Sequence, residues 1–151
     1  MESKLLRRIP ILSTLTPGDL KLIERIAQAF DYAAGDTIFS RAESADAMFI
    51  VVGGRVRIFT RGASKKRKTF AYLTPGDFFG EMALLESLPR TATATATEKT
   101  RLHLLYKSKL DALLHAEPRI GVSIMSHLAR MLSARLRRLS EDPKLFPPKN
   151  A

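Results

Sequence analysis

Phe79-Gly80-Glu81-Met82-Ala83-Leu84-Leu85-Glu86-Ser87-Leu88-Pro89-Arg90-Thr91-Ala92-Thr93 is the stretch on which the reading of this chain turns. It sets a glycine-led turn, a carboxylate and an arginine between two strand-like runs. Backbone N–H groups around Gly80 to Ala83, at the start of a short helix, can face an anion. Arg90 carries a planar fork of donors that matches two phosphate oxygens. Glu81 cannot serve a phosphate, because like charges repel, but it can accept hydrogen bonds from a sugar hydroxyl. A ribose carrying a phosphate meets both demands. The alternative is a structural ion pair between Glu81 and Arg90, with Gly80 serving only a turn. A buried pair of that kind would be costly to desolvate.

Outward from this stretch, residues from about Asp31 to Tyr106 read as short strands. Gly35-Asp36, Gly53-Gly54, Gly62-Ala63-Ser64 and Pro75-Gly76-Asp77 supply the turns. Val56, Ile58 and Thr60 alternate with Arg55, Arg57 and Phe59 as in a half-buried strand. Thr91 to Thr97 alternates threonine with alanine, and Leu102, Leu104 and Tyr106 alternate with Arg101, His103 and Leu105. Short strands at this spacing predict an antiparallel sandwich or jelly roll. Before them, Thr16-Pro17-Gly18-Asp19 predicts a helix start, with Thr16 as N-cap, Asp19 reaching back to it, and Leu15 and Leu20 as a hydrophobic staple. Leu20, Ile23, Ala27 and Phe30 follow at helical spacing. After Tyr106, Ser108 and Asp111 form a plausible capping pair for a short helix ending near Glu117, and Pro118 suits the first turn of the next. Ile120, Ile124, Leu128, Met131, Leu132, Leu136 and Leu139 then form a long apolar stripe to about Ser140.

The expected fold is mainly β with flanking helices. An antiparallel β-roll of the jelly-roll kind carries an N-terminal helix and a C-terminal helical lid. One domain is divided into an N-terminal helical segment (1–30), the roll (31–106, holding the cassette at 79–93), C-terminal helices (107–140) and a loose tail (141–151).

Composition narrows the function. The 151 residues suit one domain with a proper core, and 45% are apolar. No cysteine occurs, which excludes disulfides, zinc–thiolate sites and iron–sulfur clusters. The first residues lack the apolar core of a signal peptide, and no run approaches the ~20 apolar residues of a membrane span. A cytoplasmic location is therefore expected. The net charge of +10 favours anionic ligands in general, and the Lys65-Lys66-Arg67-Lys68 group reads as a solvated hairpin tip. His103, His115 and His127 lie far apart on different elements, so no metal site is expected. No serine sits in a nucleophile motif.

The Phe79–Thr93 stretch resembles the phosphate-binding cassette of the cyclic nucleotide-binding domain family. Three further segments extend the resemblance over nearly the whole chain. They are Ala33-Ala34-Gly35-Asp36-Thr37-Ile38-Phe39, Met48-Phe49-Ile50-Val51-Val52-Gly53-Gly54-Arg55-Val56-Arg57-Ile58, and Leu73-Thr74-Pro75-Gly76-Asp77-Phe78-Phe79-Gly80-Glu81. The resemblance implies that Glu81 holds a ribose hydroxyl, that Arg90 holds the phosphate, and that the amides of Gly80, Met82 and Ala83 meet the ligand. Thr91 falls where the family carries a hydroxyl or an alanine beside the phosphate. A C-terminal helical lid is also implied, with Met131 and Arg135 in the region of a base cap. One loop departs from the family, reading Arg41-Ala42-Glu43-Ser44 where an acidic residue beside a glycine is common.

On this resemblance the chain is expected to be a non-enzymatic receptor with cyclic AMP or cyclic GMP as ligand and no other cofactor. Thr91 could bond a guanine amino group, yet relatives with a hydroxyl there also take cyclic AMP, which ranks first. Binding would be passed on by the C-terminal helix to an unknown downstream protein, or to a second copy paired through that helix. A transcription regulator is the weaker alternative, since the residues after Ser140 leave no room for a recognition helix and specific nucleic-acid binding is not expected. A protein-interaction module with an unoccupied pocket is the remaining one.

Overall fold

The Thr16 cap sets the geometry of the N-terminal segment. Its hydroxyl accepts from the Asp19 N–H at 3.2 Å, and the Asp19 carboxylate accepts from the Thr16 N–H at 3.0 Å. This reciprocal pair satisfies two helix-end donors. The computed structural model describes residues 2–61 and 67–144. The expected turn at Gly62-Ala63-Ser64, the Lys65-Lys66 part of the basic tip and the tail from Leu145 onward lie outside the described residues. The segment comprises α1 (Glu2–Arg7), a 3₁₀ turn (Pro10–Leu12) and α2 (Pro17–Ile26). Leu15 and Leu20, the expected staple, are both buried.

Phe30 departs from its expected helical place. The helix ends at Ile26, Ala27 is already extended, and Phe30 stands opposite Leu102 in a ladder between β1 (Gln28–Tyr32) and β8 (Thr100–Tyr106). The helical period runs on through Phe30 by coincidence of spacing. Pairing with β8 decides the matter, because tertiary hydrogen bonds override a weak local preference.

The remaining strands are β2 (Thr37–Phe39), β3 (Ala47–Gly53), β4 (Val56–Arg61), β5 (Arg67–Leu73), β6 (Phe78–Phe79) and β7 (Thr93–Ala96). Two four-stranded antiparallel sheets result, ordered β1-β8-β3-β6 and β2-β7-β4-β5. This is the jelly-roll arrangement that the turn spacing predicts. Residues Ala47 to Val51 are all buried, because β3 is covered on both faces. Ala47, Phe49 and Val51 face the interior of the roll, while Met48 and Ile50 join the helical core. The same double burial explains His103 and Leu105. They fall on the outward side of β8 by alternation, yet both are buried, since helices cover that face.

In β4 the expected alternation holds only in part. Val56 is buried on the inner face, but Phe59 on the outer face is buried too, with the Arg57 guanidinium 4.8 Å from its ring centre.

The C-terminal helices are α3 (Lys107–Ala116) and α4 (Pro118–Ser140). Ser108 does not cap α3: Tyr106 holds that position without a side-chain bond, and Asp111 pairs instead with Lys107 at 2.6 Å. Pro118 opens α4 as expected. Ile120, Ile124 and Leu128 are fully buried against the N-terminal segment, each stabilising the packing by about 1.5–3 kcal/mol. Beyond Met131 the stripe leaves the core, with Leu136 62% and Leu139 49% exposed.

Candidate functional site

Gly80 opens the site because the chain must reverse there at φ +73°, a conformation that costs other residues. A side chain would also collide, since a Cβ on Gly80 would lie 2.7 Å from Arg90 Nη1. The reversal starts a 3₁₀ turn over Glu81–Leu84. Gly80, Glu81, Met82, Ala83, Arg90 and Thr91 all line one cavity of about 840 Å³. The sequence reading brought these six together, and the fold does so as well.

Arg90 is 9% exposed and lies in a bed of backbone and aromatic rings. Its Nη2 donates to the Ala47 carbonyl at 2.7 Å and its Nη1 to the Gly80 carbonyl at 3.4 Å. The guanidinium carbon sits 4.3 Å from the Phe39 ring centre and 5.4 Å from that of Phe49. These rings and Phe79 form one cluster, Phe49 and Phe79 stacking at 4.9 Å. Nε is buried with no acceptor among the described residues. Burial pulls the Arg90 pKa below its ordinary value, and the charges of Asp46, Glu43 and Glu81 partly oppose that shift.

Glu81 is buried as well, but Arg90 is not its partner. Arg135 of α4 donates its Nη1 to Glu81 Oε1, so the alternative of a Glu81–Arg90 ion pair does not hold. Arg135 and Leu132 line the cavity, whereas Met131, the other base-cap candidate, does not. Met131 is turned toward the helical core, and only its sulfur meets Arg135, at 3.9 Å.

The departing loop is the device that holds Arg90 by its backbone. Ala42 N–H donates to the Arg90 carbonyl at 2.8 Å, and Arg90 N–H donates to the Glu43 carbonyl at 2.7 Å. Ala42 adopts φ +75° to do so. Because left-handed backbone costs an L-residue about 1–2 kcal/mol and glycine returns part of that gain as unfolded-state entropy, Ala42→Gly is expected to stabilise the protein by about 0.5–1 kcal/mol. Thermal melting checks this, and a lowered midpoint would show that the turn is unstrained.

Sequence reasoning missed Phe39, Phe49, Phe70 and Leu132 as parts of the site. The aromatic residues read there only as strand or core members, and nothing local distinguishes the rings beneath a guanidinium. Among the described residues, no group of three or more His, Asp or Glu side chains could hold a metal ion, and no helix is long and apolar enough to cross a membrane.

Comparison with known proteins gives the same picture. Residues 29–117 match the family described as the cyclic nucleotide-binding domain. The chain is 33% identical over 123 residues to the Cyclic AMP receptor protein of Thermus thermophilus, covering 82% of this chain and 57% of that one. It is 32% identical over 114 residues to a cAMP-dependent protein kinase regulatory subunit of Neurospora crassa, covering 76% of this chain and 29% of the subunit. It thus spans less than two thirds of either relative. The crystal structure of the N-terminal domain of a transcriptional regulator from Streptomyces coelicolor superposes with a TM-score of 0.83 at 26% identity, over 87% of this chain and 94% of the other. With the family match running from β1 to the end of α3 and the cassette residues converging on one cavity, the chain belongs to the cyclic nucleotide-binding domain family.

Proposed function

We propose that this domain is a non-enzymatic receptor for a cyclic nucleotide, with cyclic AMP the first ligand to test. The observation that carries the reading is Arg90: a buried guanidinium with no bonded carboxylate and no acceptor for its Nε among the described residues, beside the amides of Gly80 to Ala83. A desolvated cation in that state is stabilised by an anion delivered from solution. A phosphate ester would take Arg90 and the amides, while Glu81 would accept from the ribose hydroxyl. Thr91 stands at the rim, where its hydroxyl would reach the phosphate or the base. The relatives named for cyclic AMP support cyclic AMP over cyclic GMP.

Signal transmission would run through α4. Arg135 bonds Glu81, so a ribose hydroxyl would compete with or share that carboxylate. The distal half of α4, with Leu136 and Leu139 exposed, is the element whose position both states would bias. Those leucines would engage a second copy or a downstream protein, within a cytoplasmic assembly.

Thermal melting tests the reading. Cyclic AMP at a hundred times its dissociation constant is expected to add about 2.7 kcal/mol, a rise of about 5–10 °C for a domain of this size. Linear 5′-AMP should do much less. A midpoint unmoved by millimolar cyclic AMP and by cyclic GMP sinks the proposal.

A further inference from the structure

Charge is distributed one-sidedly over the second sheet. From Arg55 to Lys68 the sequence carries seven lysines and arginines, and no Asp or Glu occurs from Gly53 to Gly76. Strand alternation sets Arg55, Arg57, Phe59 and Arg61 on one side of β4, away from the interior that takes Val56 and Ile58. Thr93 and Thr95 of β7 stand opposite Phe59 and Arg57 on the same outer face. There Thr37, Arg41, Phe59, Arg61, Thr93 and Thr95 line a groove of about 500 Å³. Among the described residues no carboxylate pairs with Arg41, Arg55, Arg57 or Arg61, while Asp19, Asp31, Glu81 and Asp111 are paired with other cations. Asp36, between two groove residues, turns its carboxylate to the Ala33 N–H at 2.8 Å. Two of the arginines are also held in place. The Thr93 hydroxyl accepts from the Arg41 backbone N–H at 3.0 Å, and the Thr69 hydroxyl accepts from Arg57 Nε at 2.9 Å.

Like charges gathered without counter-charges repel, and a bound polyanion relieves that repulsion. The row from Arg55 to Arg61 runs about 20 Å along the strand. A single small anion would meet only part of it, whereas a chain of phosphates meets all of it. Arginine forks and threonine hydroxyls are the donors that phosphodiester oxygens take. A protein partner would need an apolar or aromatic centre. Here Phe59 is only 6% exposed, and the guanidinium groups of Arg55 and Arg57 lie over the rings of Tyr72 and Phe59. A lipid surface is flat and would not enter a groove. We propose that the outer face of the β2-β7-β4-β5 sheet is a second binding site, one that takes the phosphate backbone of a single-stranded nucleic acid. The helices pack on the other sheet, so this face has none to enter a duplex groove and does not read sequence. None of the four arginines lines the cyclic nucleotide cavity, and the two sites are independent.

Fluorescence anisotropy of the full chain with a labelled oligothymidylate tests this. Four phosphate contacts predict about 50-fold weaker binding as salt rises from about 50 to about 200 mM. Arg41→Gln, Arg57→Gln and Arg61→Gln together should cut that salt effect to about threefold and weaken binding at low salt at least about tenfold. The pair Arg41→Gln and Arg61→Gln, both at exposed positions, serves if the triple variant fails to fold, with a salt effect of about sevenfold. The same loss of charge elsewhere, in Lys4→Gln, Arg7→Gln and Arg8→Gln together, should leave binding nearly as it was. Absence of binding at low salt, or an equal loss in the two triple variants, overturns the inference. So does displacement by polyglutamate as readily as by unlabelled oligonucleotide at equal charge, which would point to an acidic protein. Binding to phosphatidylserine vesicles in place of the oligonucleotide overturns it as well. The cyclic nucleotide reading stands or falls separately, on its own melting shift.

Discussion

Arg90→Ala is expected to weaken cyclic AMP binding by about 30-fold to more than 1,000-fold, the cost of truncating one partner of a buried charge pair. The reason lies in how the side chain is held. Two of its donors are used by the Ala47 and Gly80 carbonyls, and two aromatic rings fix its plane. A ligand phosphate therefore meets a pre-set charge and little side-chain entropy is lost on binding. Lysine would restore the charge but not the planar fork, so Arg90→Lys should recover only part of the affinity. The free protein should tolerate these changes. Loss of the carbonyl contacts destabilises it, but removal of a desolvated cation stabilises it, and the two oppose. Arg90→Met, closer in volume, should melt within a few degrees of the unaltered chain while its midpoint ignores cyclic AMP. A variant that keeps the ligand-induced shift would show that the phosphate does not rest on Arg90.

Asp19→Ala should lower stability by about 1–3 kcal/mol, because it removes the side-chain half of the capping box and an ion pair at once. The Asp19 carboxylate bonds the Thr16 N–H, and it receives both Nη groups of Arg119, at 2.8 and 2.6 Å. It thereby ties the start of α2 to the start of α4. The hydrogen bonds from Arg119, helped by those from Thr16, outweigh burial and hold the Asp19 pKa down at about 2, against an ordinary 3.8. A carboxyl whose folded pKa is depressed contributes stability that is complete above its unfolded pKa and lost as pH falls through the folded one. Melting midpoints should thus fall between about pH 4 and pH 2 in the unaltered protein, and less steeply in Asp19→Asn, which cannot ionise. Equal pH dependence in the two proteins would remove Asp19 from the account. Since α4 also carries Arg135 to Glu81, loosening its anchor should blunt any response of the distal helix to ligand.

Legibility in the sequence differed from element to element. The Thr16–Asp19 cap, the Pro118 start and the turns at Gly35-Asp36, Gly53-Gly54 and Pro75-Gly76-Asp77 could be read directly, because each depends on residues within four positions of one another. The six cassette residues were legible for the same reason. Gly80 to Ala83 lie on one short turn, and the fork on Arg90 and the carboxylate on Glu81 announce their chemistry by residue type. Phe30 and Ser108 went astray where a local pattern had a competitor: the β8 edge for Phe30, and the Lys107–Asp111 pair for the start of α3. His103 and Leu105 alternate as if exposed, and only the helices packed behind β8 bury them.

Residue order alone determined the roll, its flanking helices and the donors and acceptors that the cassette carries, since those follow from turn geometry, periodicity and side-chain type. Only the folded chain decided that Glu81 meets Arg135 and not Arg90, that Leu132 and not Met131 borders the cavity, and that Phe70 lines it too. Each of these depends on where two distant segments come to lie and on how far a strand or helix is rotated about its axis. A rotation of that kind is set by long-range packing, and neighbouring residues carry no record of it.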